Sequence, residues 1–169
     1  MFGTVGLAVI IGYCSNKTNI IQRQLSGNNN IEKAWNFYQV EGFSEESIAG
    51  ILGNYMRESG MDPTVEEKGN NIGYGIAQWS FTRRTDLENW SKQNNFLVSS
   101  LEGQLNFSMH EMKKMKFGKY NLEEFKKIKD VKLATEIFEQ HFERAGVVAM
   151  NERISYAQEI YKKYSKKSK

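Results

Sequence analysis

Apolar residues recur at three- and four-residue spacing through most of residues 30–164, and the pattern is lost only between residues 62 and 79. A period of 3.6 residues commits a chain to helices, because only a helix gathers such positions onto one face. The chain therefore reads as mainly α, with a small β-hairpin or irregular insertion after its second helix. No internal repeat is visible, and no alternation of strand-like and helix-like segments argues for a parallel sheet.

Ile31, Ala34, Trp35 and Tyr38 form the first stripe, which Glu41 and Gly42 end. Ser44 then caps a second helix whose stripe is Ile48, Ile51, Leu52, Tyr55 and Met56, with Gly50 and Gly53 leaving room for another backbone. That helix stops at Ser59 and Gly60, before Pro63. In the break, Gly69, Asn70, Asn71, Gly73 and Gly75 supply turn chemistry around residues 74–79. Helical patterning returns at residues 82–90, 101–115 and 121–128, the last with Asn121 and Glu124 as a capping pair. Two closing helices carry Leu133, Ile137, Phe138, His141 and Phe142, then Met150, Ile154, Ala157, Ile160 and Tyr161.

Composition narrows the chemistry. One cysteine and two histidines, His110 and His141, cannot complete a thiolate or zinc set, so no metal and no cofactor is expected. A net charge of +3, from 23 basic and 20 acidic residues, is too small for a dedicated nucleic-acid binder. Much of the surplus lies in Lys162, Lys163, Lys166, Lys167 and Lys169, so residues 165–169 read as a basic tail. Residues 6–14 are apolar, but shorter than the roughly 20 residues of a bilayer span. They have the length of a signal-peptide core and end in Cys14, yet no Lys or Arg precedes them and Tyr13 stands where a lipoprotein signal wants a small residue. A truncated export signal and an incidental N-terminal segment are both open, and residues 15–30 read as a linker. The expected organisation is an N-terminal segment (1–28), one catalytic domain (29–164) and the tail.

Within that domain, Glu58 is the first candidate for chemistry. At 100° per residue it lies about 20° from Ile51 and about 60° from Tyr55, on the apolar side of its helix. A carboxyl there is partly desolvated, and desolvation favours the protonated form that a general acid needs. The plain alternative is a helix-end glutamate paired with Arg57 or Arg83.

The strings IAGILGNYMRESG (residues 48–60) and GYGIAQWSFTRR (residues 73–84) carry a resemblance. A Glu-Ser pair ending a helix, then a Gly-rich segment reading Gly-Ile-Ala-Gln-Trp, resembles the phage tail lysozyme family of the lysozyme-like superfamily. Both motifs are also similar to those of soluble lytic transglycosylases and goose-type lysozymes. The closing segment, Phe142-Glu143-Arg144 through Arg153, Ala157 and Tyr161, resembles the end of the same domains. The resemblance implies a lysozyme-like helical domain and a peptidoglycan glycosidase that cleaves between N-acetylmuramic acid and N-acetylglucosamine. It implies Glu58 as the acid, Ser59 as its neighbour, Gln78 near the sugar, and Tyr74 and Trp79 along the glycan cleft. It also implies action at the cell wall, outside the cell, by export or on a phage tail or conjugation apparatus.

Most glycosidases pair the acid with a second carboxylate. Glu67 is nine residues beyond Glu58 in the loop expected to face it, with Glu66 and Asp62 as alternatives. Without a second carboxylate, the substrate's own hydroxyl closes an anhydro ring, the lytic transglycosylase outcome. Two readings of other classes are a helix-turn-helix DNA-binding protein, suggested by the Ala49-x-x-x-Gly53 spacing, and a catalytically silent wall-binding protein.

Overall fold

The computed structural model describes residues 24–166 except 68, 70 and 71, so the apolar run 6–14, Cys14 and residues 167–169 lie outside the described residues. Among those described, seven α-helices form: α1 (Asn30–Val40), α2 (Glu45–Ser59), α3 (Phe81–Gln93), α4 (Leu101–Met112), α5 (Leu122–Phe125), α6 (Val131–Phe138) and α7 (Met150–Tyr164). A π-helical turn, Glu139–Glu143, extends α6. None of these helices is long and apolar enough to cross a membrane. The mainly α expectation holds.

Five of the seven starts have a side-chain cap. Asn29, Ser44, Ser100, Asn121 and Asp130 accept hydrogen bonds from first-turn amides of the helices they precede. At Asn121 the reciprocal bond from Glu124 completes the expected capping box. The helix expected over residues 121–128 is a single turn, because α2 takes its carbonyls. Ser44 N–H donates to Lys126 O at 2.7 Å, and Ser47 Oγ donates to Phe125 O at 2.8 Å.

Helix α2 is the centre of the domain and is buried from Glu46 to Tyr55. It packs mainly on α7 and α6, with α1 on another side. The two glycines work as their spacing predicts. A Cβ on Gly50 would stand 2.8 Å from the backbone of Ala134 in α6, and one on Gly53 would stand 2.6 Å from Ala157 Cβ in α7. The helix runs unbroken through Gly53 to a left-handed Gly60, so the turn that the DNA-binding alternative needs does not form.

The insertion between α2 and α3 has isolated antiparallel bridges, Glu66 to Tyr74 and Tyr74 to Trp79, instead of full strands. Side chains fasten it. Ser59 Oγ donates to Ile76 O at 3.1 Å. Buried Gln104 of α4 accepts from Ile76 N–H at 2.9 Å and donates to Pro63 O at 2.7 Å. Gly75 sits at φ +71° against that amide, where a Cβ would meet Gln104 Oε1 at 2.4 Å. Trp79 is fully buried and donates its indole N–H to Glu111 of α4 at 2.7 Å.

Candidate active site

The end of α2, the insertion, the π-turn and the first turns of α7 enclose a cavity of about 650 Å³. Its walls carry Arg57, Glu58 and Ser59 from α2, and Glu66, Glu67 and Gln78 from the insertion. Arg83, Glu143, Arg144 and Arg153 close the other side. Charge of both signs converges here.

Glu58 reaches the cavity with its side chain 17% exposed, and its partner is neither Arg57 nor Arg83. Arg153 Nη2 donates to Glu58 Oε1 at 2.6 Å. Arg57 pairs instead with Glu152 at 2.9 Å, and Arg83 with Glu111. Arg153 is itself 1% exposed and is fixed along its length. Its Nε donates to Val148 O at 2.6 Å and its Nη1 to Asn54 Oδ1 at 3.1 Å, while Asn54 bonds Thr135 O of α6. The Glu58 carboxyl is thus set by a guanidinium that three elements hold in place.

Glu143, the last residue of the π-turn, forms another wall of the cavity. A π-turn widens the helix by one residue and shifts the register of the residues after it, and such turns are frequent at functional sites. The turn ends at Arg144 in the left-handed region, φ +52°, whose N–H returns to Glu139 O at 2.7 Å. Glu143 is only 9% exposed, and its Oε1 has no hydrogen-bond partner among the described residues. Burial pushes this carboxyl well above the ordinary carboxylate range and the charge of Glu58 pushes it further, with Arg83 and Arg153 opposing. The desolvated acid expected at Glu58 is therefore found most fully at Glu143.

The other sequence candidates separate. Glu67 is exposed, lines the cavity and accepts from Gly73 N–H at 3.2 Å. Glu66 also lines it but pairs with Arg84 at 2.9 Å. Asp62 is taken by Thr64, whose N–H and Oγ1 donate at 2.8 and 2.7 Å, and these bonds hold its carboxyl below the usual range. Ser59 lines the cavity, but its hydroxyl is spent on the carbonyls of Tyr55 and Ile76 and not on Glu58. Gln78 lines it from a left-handed backbone, φ +45°, with its amide nitrogen donating to Gly75 O at 3.0 Å.

The aromatic candidates lie elsewhere. Tyr74 is half-buried under Arg84, whose guanidinium is 5.0 Å from the ring centre, and it does not line the cavity. Trp79 offers no surface, because the insertion folds it onto α4. Phe81, next in sequence to the lining residue Ser80, is 74% exposed at φ +50° and does not itself line the cavity. Among the described residues, no group of His, Cys, Asp and Glu could hold a metal ion.

This arrangement sets one carboxyl on a buried arginine, a second buried in a wall that also carries arginines, and a third on an exposed loop. Morphogenesis protein 1 of Bacillus phage B103 is 29% identical over 80 residues, covering 45% of this chain and 21% of the relative. The chain thus spans about a fifth of the length of that relative. The profile of the family described as phage tail lysozyme matches residues 29–164, from the cap of α1 to the last residue of α7. By that match over most of its length, the chain belongs to the phage tail lysozyme family.

Proposed function

We propose that this protein is a peptidoglycan glycosidase that cleaves the β-1,4 bond between N-acetylmuramic acid and N-acetylglucosamine, with Glu58 as the general acid. The observation that supports this most is the Glu58 carboxyl at the end of α2, fixed by Arg153 in the wall of a cavity of about 650 Å³. Family membership supplies the substrate class.

Glycoside cleavage needs a proton on the leaving oxygen and negative charge near the oxocarbenium-like centre. Glu58 supplies the first. Glu67 supplies the second from the facing loop, because Glu66 is engaged by Arg84 and Asp62 by Thr64. Gln78 lines the same wall and bonds the sugar rim, and Phe81 covers an apolar sugar face. The engagement of the other two loop carboxylates also favours a second outcome. Where Glu67 stays too far out to serve, the substrate's own hydroxyl closes the anhydro ring of a lytic transglycosylase.

The phage tail is the setting that the family suggests, with action at the wall outside the cell membrane. Lys162 and Lys163 at the end of α7 favour an anionic wall, an attraction that salt screens. The test is muropeptide release from purified peptidoglycan by wild type beside Glu58→Gln, with products weighed by mass spectrometry. Release lost in the variant supports the acid, and a product lighter by one water identifies the transglycosylase. Binding to the wall with no release by folded wild type would leave the silent binding protein in its place.

A further inference from the structure

The Glu58–Arg153 pair raises a question of proton supply. A general acid must carry a proton, yet Glu58 sits 2.6 Å from a guanidinium that prefers it charged. Glu143 lines the same cavity, is buried, and leaves Oε1 without a partner among the described residues. An unpaired buried carboxylate is costly, whereas a buried neutral carboxyl costs far less. Glu58 and Glu143 line one cavity, where the negative charge of Glu58 disfavours ionisation of Glu143.

We propose that Glu143 and Glu58 form a two-carboxyl unit that keeps one proton inside the cavity, with Arg153 selecting which of the two carries the negative charge. Glu143 is then a positioning residue: it positions a proton, not the substrate. In the resting protein Glu143 is the neutral member and Glu58 the carboxylate on Arg153. Moving one proton from Glu143 to Glu58 leaves the charge of the unit unchanged, makes Glu58 the acid, and gives the new carboxylate at Glu143 both Arg153 and Arg83 as neighbours. After Glu58 has given its proton to the glycosidic oxygen, the unit takes one back from the water that completes hydrolysis. The titratable and charged groups that interact electrostatically with Glu143 are Glu58 and Tyr55 from α2, Tyr38 from α1, Arg83 from α3, Glu111 from α4, and Arg153 from α7. Burial holds both tyrosines above their ordinary range, so neither competes for the proton near neutral pH.

The function of the unit rests on the reading of Glu58 as the acid, but the shared proton does not. The first measurement therefore needs no substrate: the side-chain carboxyl carbons of the full chain, labelled with ¹³C glutamate, are tracked by NMR against pH. Coupled carboxyls titrate in steps that belong to the pair. Glu58 is expected to show two inflections, one shared with Glu143. In Glu143→Gln it is expected to show one, at lower pH. A single Glu58 inflection in wild type that ignores the Glu143 midpoint overturns the proposal, whether or not the variant folds.

The second measurement is the pH profile of muropeptide release. In Glu143→Gln the alkaline limb is expected to move by about one pH unit or more toward acid, with release near neutral pH down about tenfold, and Glu143→Asp restores most of both. An unmoved limb in the folded variant overturns the proposal. Absence of release from wild type with coupled inflections intact would sink the glycosidase reading and leave the unit standing.

Discussion

Arg83 and Arg153 line the same cavity as Glu143, and the two walls they build differ in how completely their charges are answered. Arg83 meets both oxygens of Glu111, at 2.8 and 2.9 Å, and donates to Phe142 O at 3.1 Å while lying over the Phe142 ring. The same carboxylate takes the indole N–H of Trp79. On the other wall Arg153 meets one oxygen of Glu58, and Glu143 beside them keeps an oxygen without a partner among the described residues. A closed set of this kind fastens elements together, here the insertion, α3, α4 and the π-turn. An open one keeps capacity for a ligand or a proton, at some expense in stability.

Removing one carboxyl from each wall breaks the comparison most sharply. Glu58→Gln is expected to lower muropeptide release by about 10²- to 10⁴-fold, with a fall in Tm as well because the buried Arg153 guanidinium loses its counter-charge. Glu111→Gln is expected to act on stability alone: it loses charge-assisted bonds worth about 1.5–3 kcal/mol, lowers Tm by several degrees and keeps release at 25 °C within about tenfold. Equal losses of release in both variants would erase the distinction between the walls.

Removing the cations comes next. Arg153→Met strands the Glu58 carboxylate and is expected to cost about 3 kcal/mol in urea unfolding. Arg83→Met should cost less, because its side chain is 22% exposed and water answers part of what it leaves. The opposite order would show that the Arg83 network carries more of the fold than its exposure suggests.

The third contrast is in pH. A carboxyl kept neutral by burial binds its proton more tightly folded than unfolded. Its stabilising share is complete below the ordinary glutamate pKa and is lost as pH rises through the window up to its raised value. The wild-type Tm should therefore fall as pH rises above the ordinary glutamate range more steeply than that of Glu143→Gln, as scanning calorimetry across that range would show. Parallel slopes would place the destabilising charge elsewhere.

The smallest effect concerns the rim. Phe81→Ala should raise KM for wall fragments by about threefold to tenfold with kcat and Tm little changed.

Most of the helices were legible because they are amphipathic, α6 and α2 above all and α3 least, and the place of Glu58 on α2 came from the angle between it and Ile51. Gly50 and Gly53 announced tight neighbours, and α6 and α7 are those neighbours. The partners of Glu58 were harder to see. Arg153 lies about 60° from Met150 and about 40° from Ala157, on the buried face of α7, so a charged residue inside an apolar stripe was its signal. Glu143 had no such signal, because the π-turn shifts its register away from the 100° rule. Trp79 stood in a motif that suggested a cleft, but its indole N–H found Glu111, and that bond draws the ring into the core. The side chain that answers a polar group is set by tertiary packing, which local periodicity does not encode.

The ion pair at the centre of the site joins residues 95 positions apart, one on α2 and one on α7. Of the seven helices among the described residues, α2 is the second to be synthesised and α7 the last. A chain still emerging from the ribosome carries Glu58 long before Arg153 exists to hold it, and α2 lacks the neighbour that covers Gly53. Long-range contacts of this kind close late. The geometry of this cavity is therefore timed by synthesis: the carboxyl of α2 acquires its partner only when the last of these helices has been made.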